Sequence, residues 1–290
     1  MSDFAIFTDS SADLGAELVQ RLNVHVLPLS FTIQGKSYYN YPDHRDMDLH
    51  QFYDLLRAGE GAVTAGVNLA QYIGALSPVL RMGQDVLILS FSSALSSTYS
   101  TSAAAVQELR ECYPSRKIYT VDTLCASLGQ GLLVWKAARL RSMGRSIEEV
   151  RSWVESHKLS LCHQFTVNDL LFLKRGGRIS AATAMVGSIL QLKPLLHVDN
   201  EGRLVSAGRA RGRRASLQAL VDKMELTAID PADQTVFVSH GDCLEDAKMV
   251  GRMVKDRLGV KQVYLNYVGP VIGAHAGPGT VALFYVGVER

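Results

Sequence analysis

One histidine stands where a ligand has room to reach it. His275 lies within Gly273-Ala274-His275-Ala276-Gly277-Pro278-Gly279, among residues with almost no side chain. Glycine frees the backbone and permits close approach, and Pro278 stiffens the segment. The apolar run at residues 280–286 reads as a buried strand. A polar tip on a glycine loop beside a core strand suits a ligand site, and a simple turn with an exposed histidine fits the same residues. Two hydroxyl-rich segments offer related chemistry. Thr8-Asp9-Ser10-Ser11-Ala12-Asp13 follows an apolar run, the place where open α/β sheets bind ligands. Its hydroxyls serve either an anion or the cap of the next helix. Ser90-Phe91-Ser92-Ser93-Ala94-Leu95-Ser96-Ser97-Thr98-Tyr99 also follows an apolar run and opens a helix, whose free N–H groups attract anions. It carries more hydroxyls than one cap needs. Thr64, in Gly61-Ala62-Val63-Thr64-Ala65-Gly66, reads as part of a small-residue loop before a helix.

The elements that must position these residues alternate between short apolar runs and helical periods. Strands are expected at residues 4–8, 24–33, 86–89 and 118–121, with a turn at 34–36 into 37–39. Helices are expected after Asp13, which reads as a cap, at 49–56, through Val106 and Leu109, and over 127–143. This alternation predicts a parallel sheet covered by helices. The second half differs. Asp199-Asn200-Glu201-Gly202 between apolar runs is a hairpin signal, and strands at 236–238 and 263–265 bracket a helix. The reading is α/β in two domains: residues 1–158 as a parallel-sheet α/β domain and 159–290 as an α+β domain.

Bulk properties exclude several classes. The chain has 290 residues, 47% hydrophobic and 20% charged, with a formal net charge of +2. That length supports a large core, and near-neutrality demands neither nucleic acid nor a membrane as partner. No apolar run reaches the ~18 residues of a membrane-spanning helix. The first residues lack the basic and apolar regions of a secretory signal. A cytoplasmic protein is expected, with no integral membrane association. Cys112, Cys125, Cys162 and Cys243 form neither a Cys-x-x-Cys pair nor a zinc-type spacing, and are expected as buried free thiols. Phosphate-loop, dinucleotide-binding, zinc-protease and nucleophile-elbow motifs are absent, and no carboxylate cluster suggests a metal. Lys174, Arg175, Arg178, Arg203, Arg209, Arg211, Arg213 and Arg214 form a basic set. It is either a solvated face or a patch for phosphate, an acidic protein surface or nucleic acid. No aromatic residues interleave with it to stack bases.

Taken in order, these segments resemble the DegV family of bacterial fatty-acid-binding proteins, from about Ile6 to Gly287. The resemblance is carried by Thr8 to Leu14; Leu95-Ser96-Ser97-Thr98-Tyr99; Val121-Asp122-Thr123 with Ser127-Leu128-Gly129-Gln130-Gly131; Leu173-Lys174-Arg175-Gly176-Gly177-Arg178-Ile179-Ser180; Lys193-Pro194; and the His275 segment. Each motif is weak alone, and the ordered set is specific. The resemblance implies two α/β domains with a long-chain fatty acid buried between them. It implies a carboxylate site of Thr64, Ser96 and His275, with Ser10, Ser97, Gly273 and Gly277 as accessory residues of the ligand loops. It also implies a separate ATP-dependent fatty acid kinase as partner, docking over Arg209 and Arg211. No catalytic residue, cofactor or metal of its own is implied. Transient contact with a membrane surface is compatible with such a role. The chain departs from the family at Ser97 and Ala276, where glycine and threonine are usual, and at Thr64-Ala65-Gly66-Val67-Asn68, where the family usually reads Thr-Ser-Gln-Pro-Ser. Two other readings stand beside this one. A stand-alone hydrolase or acyltransferase would use Ser96 and His275. A nucleic-acid-binding regulator would use the arginines of 209–214.

Overall fold

The computed structural model describes residues 4–179 and 192–290. Ser180 and residues 1–3, on which parts of the sequence reading rest, lie outside them. The strands of the first half are β1 (Phe4–Asp9), β2 (Val24–Leu27), β3 (Ser30–Ile33), β4 (Lys36–Tyr39), β5 (Ala62–Ala65), β6 (Asp85–Ser90) and β7 (Ile118–Asp122). Four of them form the expected parallel sheet, in the order β2-β1-β6-β7. β1 and β6 are central and buried nearly throughout, which is why they read as unbroken apolar runs. The chain leaves β1 for β2 on one side and returns to β6 on the other. The carboxyl ends of β1 and β6 therefore form a topological switch point.

Two expectations change here. The strand expected over 24–33 is two strands, because Pro28 has no N–H to give to a ladder. β2 pairs in parallel with β1, whereas β3 joins a separate antiparallel sheet, β4-β3-β5. The expected turn is present: Gln34 and Gly35 have φ of 50° and 72°, as a type I′ hairpin requires. Asp13 does not cap the following helix. Gly15 holds that position for Ala16–Leu22, and Asp13 is buried instead.

The second half contains β8 (Leu161–Thr166), β9 (Leu192–Val198), β10 (Leu204–Arg211), β11 (Thr235–His240), β12 (Gln262–Tyr267) and β13 (Val281–Val286). They form a mixed sheet ordered β10-β9-β8-β13-β11-β12, in which only β11 and β12 run parallel. The predicted hairpin joins β9 to β10. The Asp199 carboxylate steadies its turn by accepting from the Glu201 and Arg203 N–H groups at 3.0 and 2.8 Å.

Helices Arg213–Thr227 and Leu244–Leu258 pack Leu217, Val221, Val250 and Val254 against this sheet. Helix Ser127–Ser142 joins the two halves. Its Leu128, Leu132, Leu133 and Val134 share one core with Ile6 and Leu89 of the parallel sheet and Phe165 and Phe284 of the mixed sheet. Its first two turns, Ser127–Val134, are buried on every side. Each such leucine contributes about 1.5–3 kcal/mol, so this helix fixes the two sheets to each other. The chain passes from one half to the other at the turn Lys158–Ser160.

Cys125 and Cys162 are buried and Cys243 is half-buried. Burial pushes the Cys125 and Cys243 thiols up to about 11 and that of Cys162 up to about 12. Cys112 departs from the expectation: it ends the helix Thr98–Cys112 in solvent.

Candidate functional site

A cavity of about 320 Å³ opens beside the switch point. Its walls are apolar. Leu29 follows β2, Phe91 and Leu95 follow β6, Leu204 begins β10, and Val271 and Ile272 come from the short helix Pro270–Ala276. Both halves of the chain thus contribute. Thr64, Ser96, Ser97, Arg178 and His275 line it as well, none of them fully buried. Apolar walls with a few convergent polar groups are the usual construction of a small-molecule site.

His275 does not lie in a glycine loop as its sequence suggested. It occupies the last turn of Pro270–Ala276, and the loop begins only at Gly277, with φ of 80°. The helix escaped notice because it is one short apolar run. Its signal is Pro270 at the first helical position. His275 Nε2 is 2.8 Å from Thr64 Oγ1. Its Nδ1 is buried and has no partner among the described residues. Burial, aided by the Arg178 charge, holds the imidazole down to about 4, so it is neutral at neutral pH.

Thr64 sits on β5, opposite Phe31 of β3, and not in a loop. The run of small residues around it concealed the strand. Ser96 Oγ lies 2.8 Å from Thr98 Oγ1 and accepts from the Thr98 N–H at 3.2 Å. Ser97 stands at the N-cap of Thr98–Cys112 without making a side-chain cap, so its hydroxyl is not spent on the helix. The structure brings Thr64, Ser96, Ser97 and His275 to one cavity. Ser10 is elsewhere: it is buried, and its Oγ accepts from the Leu29 N–H at 2.9 Å, which fixes a cavity wall from behind. Gly273 allows the helix to pack on Tyr53, and a side chain at Gly277 would collide with Phe172.

Two contributions were not visible in the sequence. Arg178 reads there as one member of a basic set, yet it lines the cavity, donating from Nε to the Leu95 carbonyl at 3.2 Å. Gly176 faces the His275 ring so closely that a Cβ would overlap Nδ1. The only signal for either was a glycine pair followed by arginine. The rest of the basic set disperses. Arg213 turns inward to Asp246 at 2.8 Å and to the Gly279 carbonyl at 2.7 Å. Arg209 and Arg211 stay exposed at alternate positions of the edge strand β10, and so share a face. Arg209 lies five positions beyond cavity-lining Leu204, about 17 Å along a strand. A stand-alone Ser/His hydrolase is not what these contacts build: Ser96 bonds to Thr98, His275 bonds to Thr64, and no carboxylate meets Nδ1 among the described residues. Among those residues, too, no group of three or more metal-ligating side chains stands together, and no helix is long and apolar enough to cross a membrane.

Known proteins share this chain throughout its length. The model of the DegV family, described as uncharacterised, matches residues 3–288. A DegV domain-containing protein of Clostridium perfringens is 43% identical over 99% of this chain and 98% of its own. A solved DegV family structure from Thermus thermophilus, described as binding fatty acid, is 30% identical, covers 98% of this chain and 99% of its own, and superposes with a TM-score of 0.86. DegV of Bacillus subtilis, described as a fatty acid binding protein, is 28% identical with a TM-score of 0.83, covering 98% of this chain and 99% of its own. With fold, motif order and sequence in agreement from end to end, the chain belongs to the DegV family.

Proposed function

We propose that this protein binds a long-chain fatty acid, burying the acyl chain in the cavity and holding the carboxylate at Thr64, Ser96 and His275. The observation that carries the reading is the Thr64–His275 pair on a cavity whose walls are largely apolar. Burial of the chain contributes about 0.8 kcal/mol per CH₂, offset in part by the entropy of binding. The carboxylate is the costly group, because a buried charge needs donors or a counter-charge. Hydroxyls of Thr64 and Ser96 are suited to donate to it, a neutral imidazole adds a further N–H, and the Arg178 guanidinium offsets its charge. Ser97, Gly273 and Gly277 shape the surrounding loops, and Ser10 acts only through Leu29. The ligand lies between two domains, residues 1–158 and 159–290.

The reading extends to a role without autonomous catalysis, in the cytoplasm, as the presenting subunit for a separate ATP-dependent kinase. Hydroxyls and imidazole orient a carboxylate without clamping both oxygens as a bidentate arginine would. One oxygen then attacks the γ-phosphorus of ATP held by the partner. The new O–P bond forms as the bond to the bridging β,γ-oxygen breaks, giving acyl phosphate and ADP. His275 stabilises charge beside the reacting oxygen. Arg209 and Arg211 supply an exposed cationic face for the partner. The test is His275→Ala, assayed for fatty acid retention and for kinase-dependent acyl phosphate. Loss of both is expected, and unchanged values contradict the assignment.

A further inference from the structure

Thr98 does not line the His275 cavity, yet it holds a hydroxyl that does. It opens helix Thr98–Cys112 and is 0% exposed, so no solvent reaches its side chain. Its Oγ1 lies 2.8 Å from Ser96 Oγ, and its N–H donates to the same oxygen at 3.2 Å. Among the described residues Ser96 Oγ is the sole partner of the Thr98 hydroxyl. The chain just beyond β5 closes over the pair. A Cβ at Gly66 would stand 2.8 Å from Thr98 Oγ1 and 3.5 Å from Ser96 Oγ. Glycine at that position is what brings the segment carrying Thr64 against the one carrying Ser96.

A hydroxyl has one proton to give and two lone pairs with which to receive. Buried donors find acceptors, and the Thr98 hydroxyl proton has one within reach, Ser96 Oγ. Thr98 therefore donates twice, through its hydroxyl and its N–H, and fills both lone pairs of that oxygen. Ser96 Oγ has no capacity left to accept. Its own proton is turned away from Thr98, and no other group among the described residues takes it. The reverse arrangement, with Ser96 donating to Thr98, strands a buried O–H and leaves the ligand without a donor. A ligand carboxylate, which only accepts, needs the first arrangement. Each link of a hydroxyl chain that ends on an anion also strengthens the next.

We propose, resting on the carboxylate reading of this cavity, that Thr98 is a positioning residue that makes Ser96 an obligate donor to the fatty acid carboxylate. The test is calorimetric titration of the full-length protein, freed of lipid, with palmitate. Thr98→Val, Thr98→Ala, Thr98→Ser, Ser96→Ala and the double variant Ser96→Ala with Thr98→Val are compared, each checked for unchanged circular dichroism. Thr98→Val keeps the shape and loses the hydroxyl, and is expected to weaken binding at least about threefold. Thr98→Ala, smaller still, does the same. Thr98→Ser keeps the hydroxyl and stays within about twofold of the unmodified protein. In the Ser96→Ala background Thr98→Val costs nothing further, because Thr98 acts only through Ser96. Undiminished binding by Thr98→Val and Thr98→Ala, a threefold loss in Thr98→Ser, or a further threefold loss in the double variant overturns the proposal and leaves the carboxylate reading standing. An unmodified protein that binds no palmitate, or Ser96→Ala that binds it fully, removes the role of Ser96 in that reading and the role of Thr98 with it.

Discussion

Two polar clusters flank the switch point, and they are finished differently. Around Asp9 and Asp13 the donors arrive from within the fold. Asp9 accepts from the N–H groups of Ser11 and Phe91 at 3.1 and 2.8 Å and from Gln130 Nε2 at 3.2 Å. Asp13 accepts from Ser127 Oγ at 2.6 Å and the Gly269 N–H at 3.0 Å. These bonds tie β1 to the loop after β6, to the start of helix Ser127–Ser142 and to the start of the helix that carries His275. Around His275 one contact, to Thr64, is made, and Nδ1 is left without a partner. Buried polar groups normally find partners. The first cluster satisfies both carboxylates internally, with Gln130 Oε1 alone of its side-chain atoms left without a partner among the described residues, and holds the fold. The second leaves His275 Nδ1, packed against Gly176, without a partner, while Nε2 and Thr64 meet at the cavity.

The contrast is testable by disturbing each side. The largest loss of stability is expected from Asp9→Ala, which takes the acceptor from the buried Ser11 and Phe91 N–H groups and the Ser11 hydroxyl and costs about 3 kcal/mol or more. Urea denaturation measures it, and a loss under about 1 kcal/mol removes the structural role given to this cluster. Gly176→Ala comes next. The added methyl displaces the His275 ring, so fatty acid affinity falls at least about tenfold while stability falls by only about 1–2 kcal/mol. A variant that binds normally shows that His275 need not stand where it does.

The pH dependence separates the clusters by sign. Burial raises the Asp13 carboxyl from its ordinary 3.8 to about 7. The folded state therefore holds that proton more tightly than the unfolded chain, and the stability it contributes at low pH is lost as pH rises through about 7. His275 is lowered from 6.5 to about 4, so its contribution is present above 6.5 and lost as pH falls through about 4. The two slopes oppose each other over nearly the same window. Relative to the unmodified protein, Asp13→Asn tilts the stability curve upward with pH between these values, and His275→Ala tilts it downward. Denaturation at stepped pH reads both, and parallel curves contradict the assignment. The smallest effect on the chain itself is expected from Arg209→Glu with Arg211→Glu. Stability and fatty acid binding stay unchanged, while acyl phosphate formation with the partner kinase falls.

Much of this was legible in the sequence, and the failures have physical causes. The central strands were plain because a strand buried on both faces is an unbroken apolar run. The β9–β10 hairpin was plain because its turn residues act locally. The small antiparallel sheet was not: β5 is four small residues, and β3 was hidden behind Pro28 in what read as one strand. Thr64, Ser96 and His275 followed from a family resemblance; the residues themselves showed only that each was polar in a small-residue setting. Asp13 looked like a cap because local pattern favours capping, and the partners that claim it, Ser127 and Gly269, are distant in sequence. Arg178 and Gly176 meet His275 across about a hundred residues, a distance no local spacing encodes.

The most direct test of the central claim is native mass spectrometry of the purified full-length protein, with extraction and identification of any lipid it carries. One fatty acid per chain, retained through purification and lost when Thr64, Ser96 and His275 are replaced together by alanine, is the predicted result. A protein that carries no lipid and takes up no added fatty acid, while remaining folded, contradicts it.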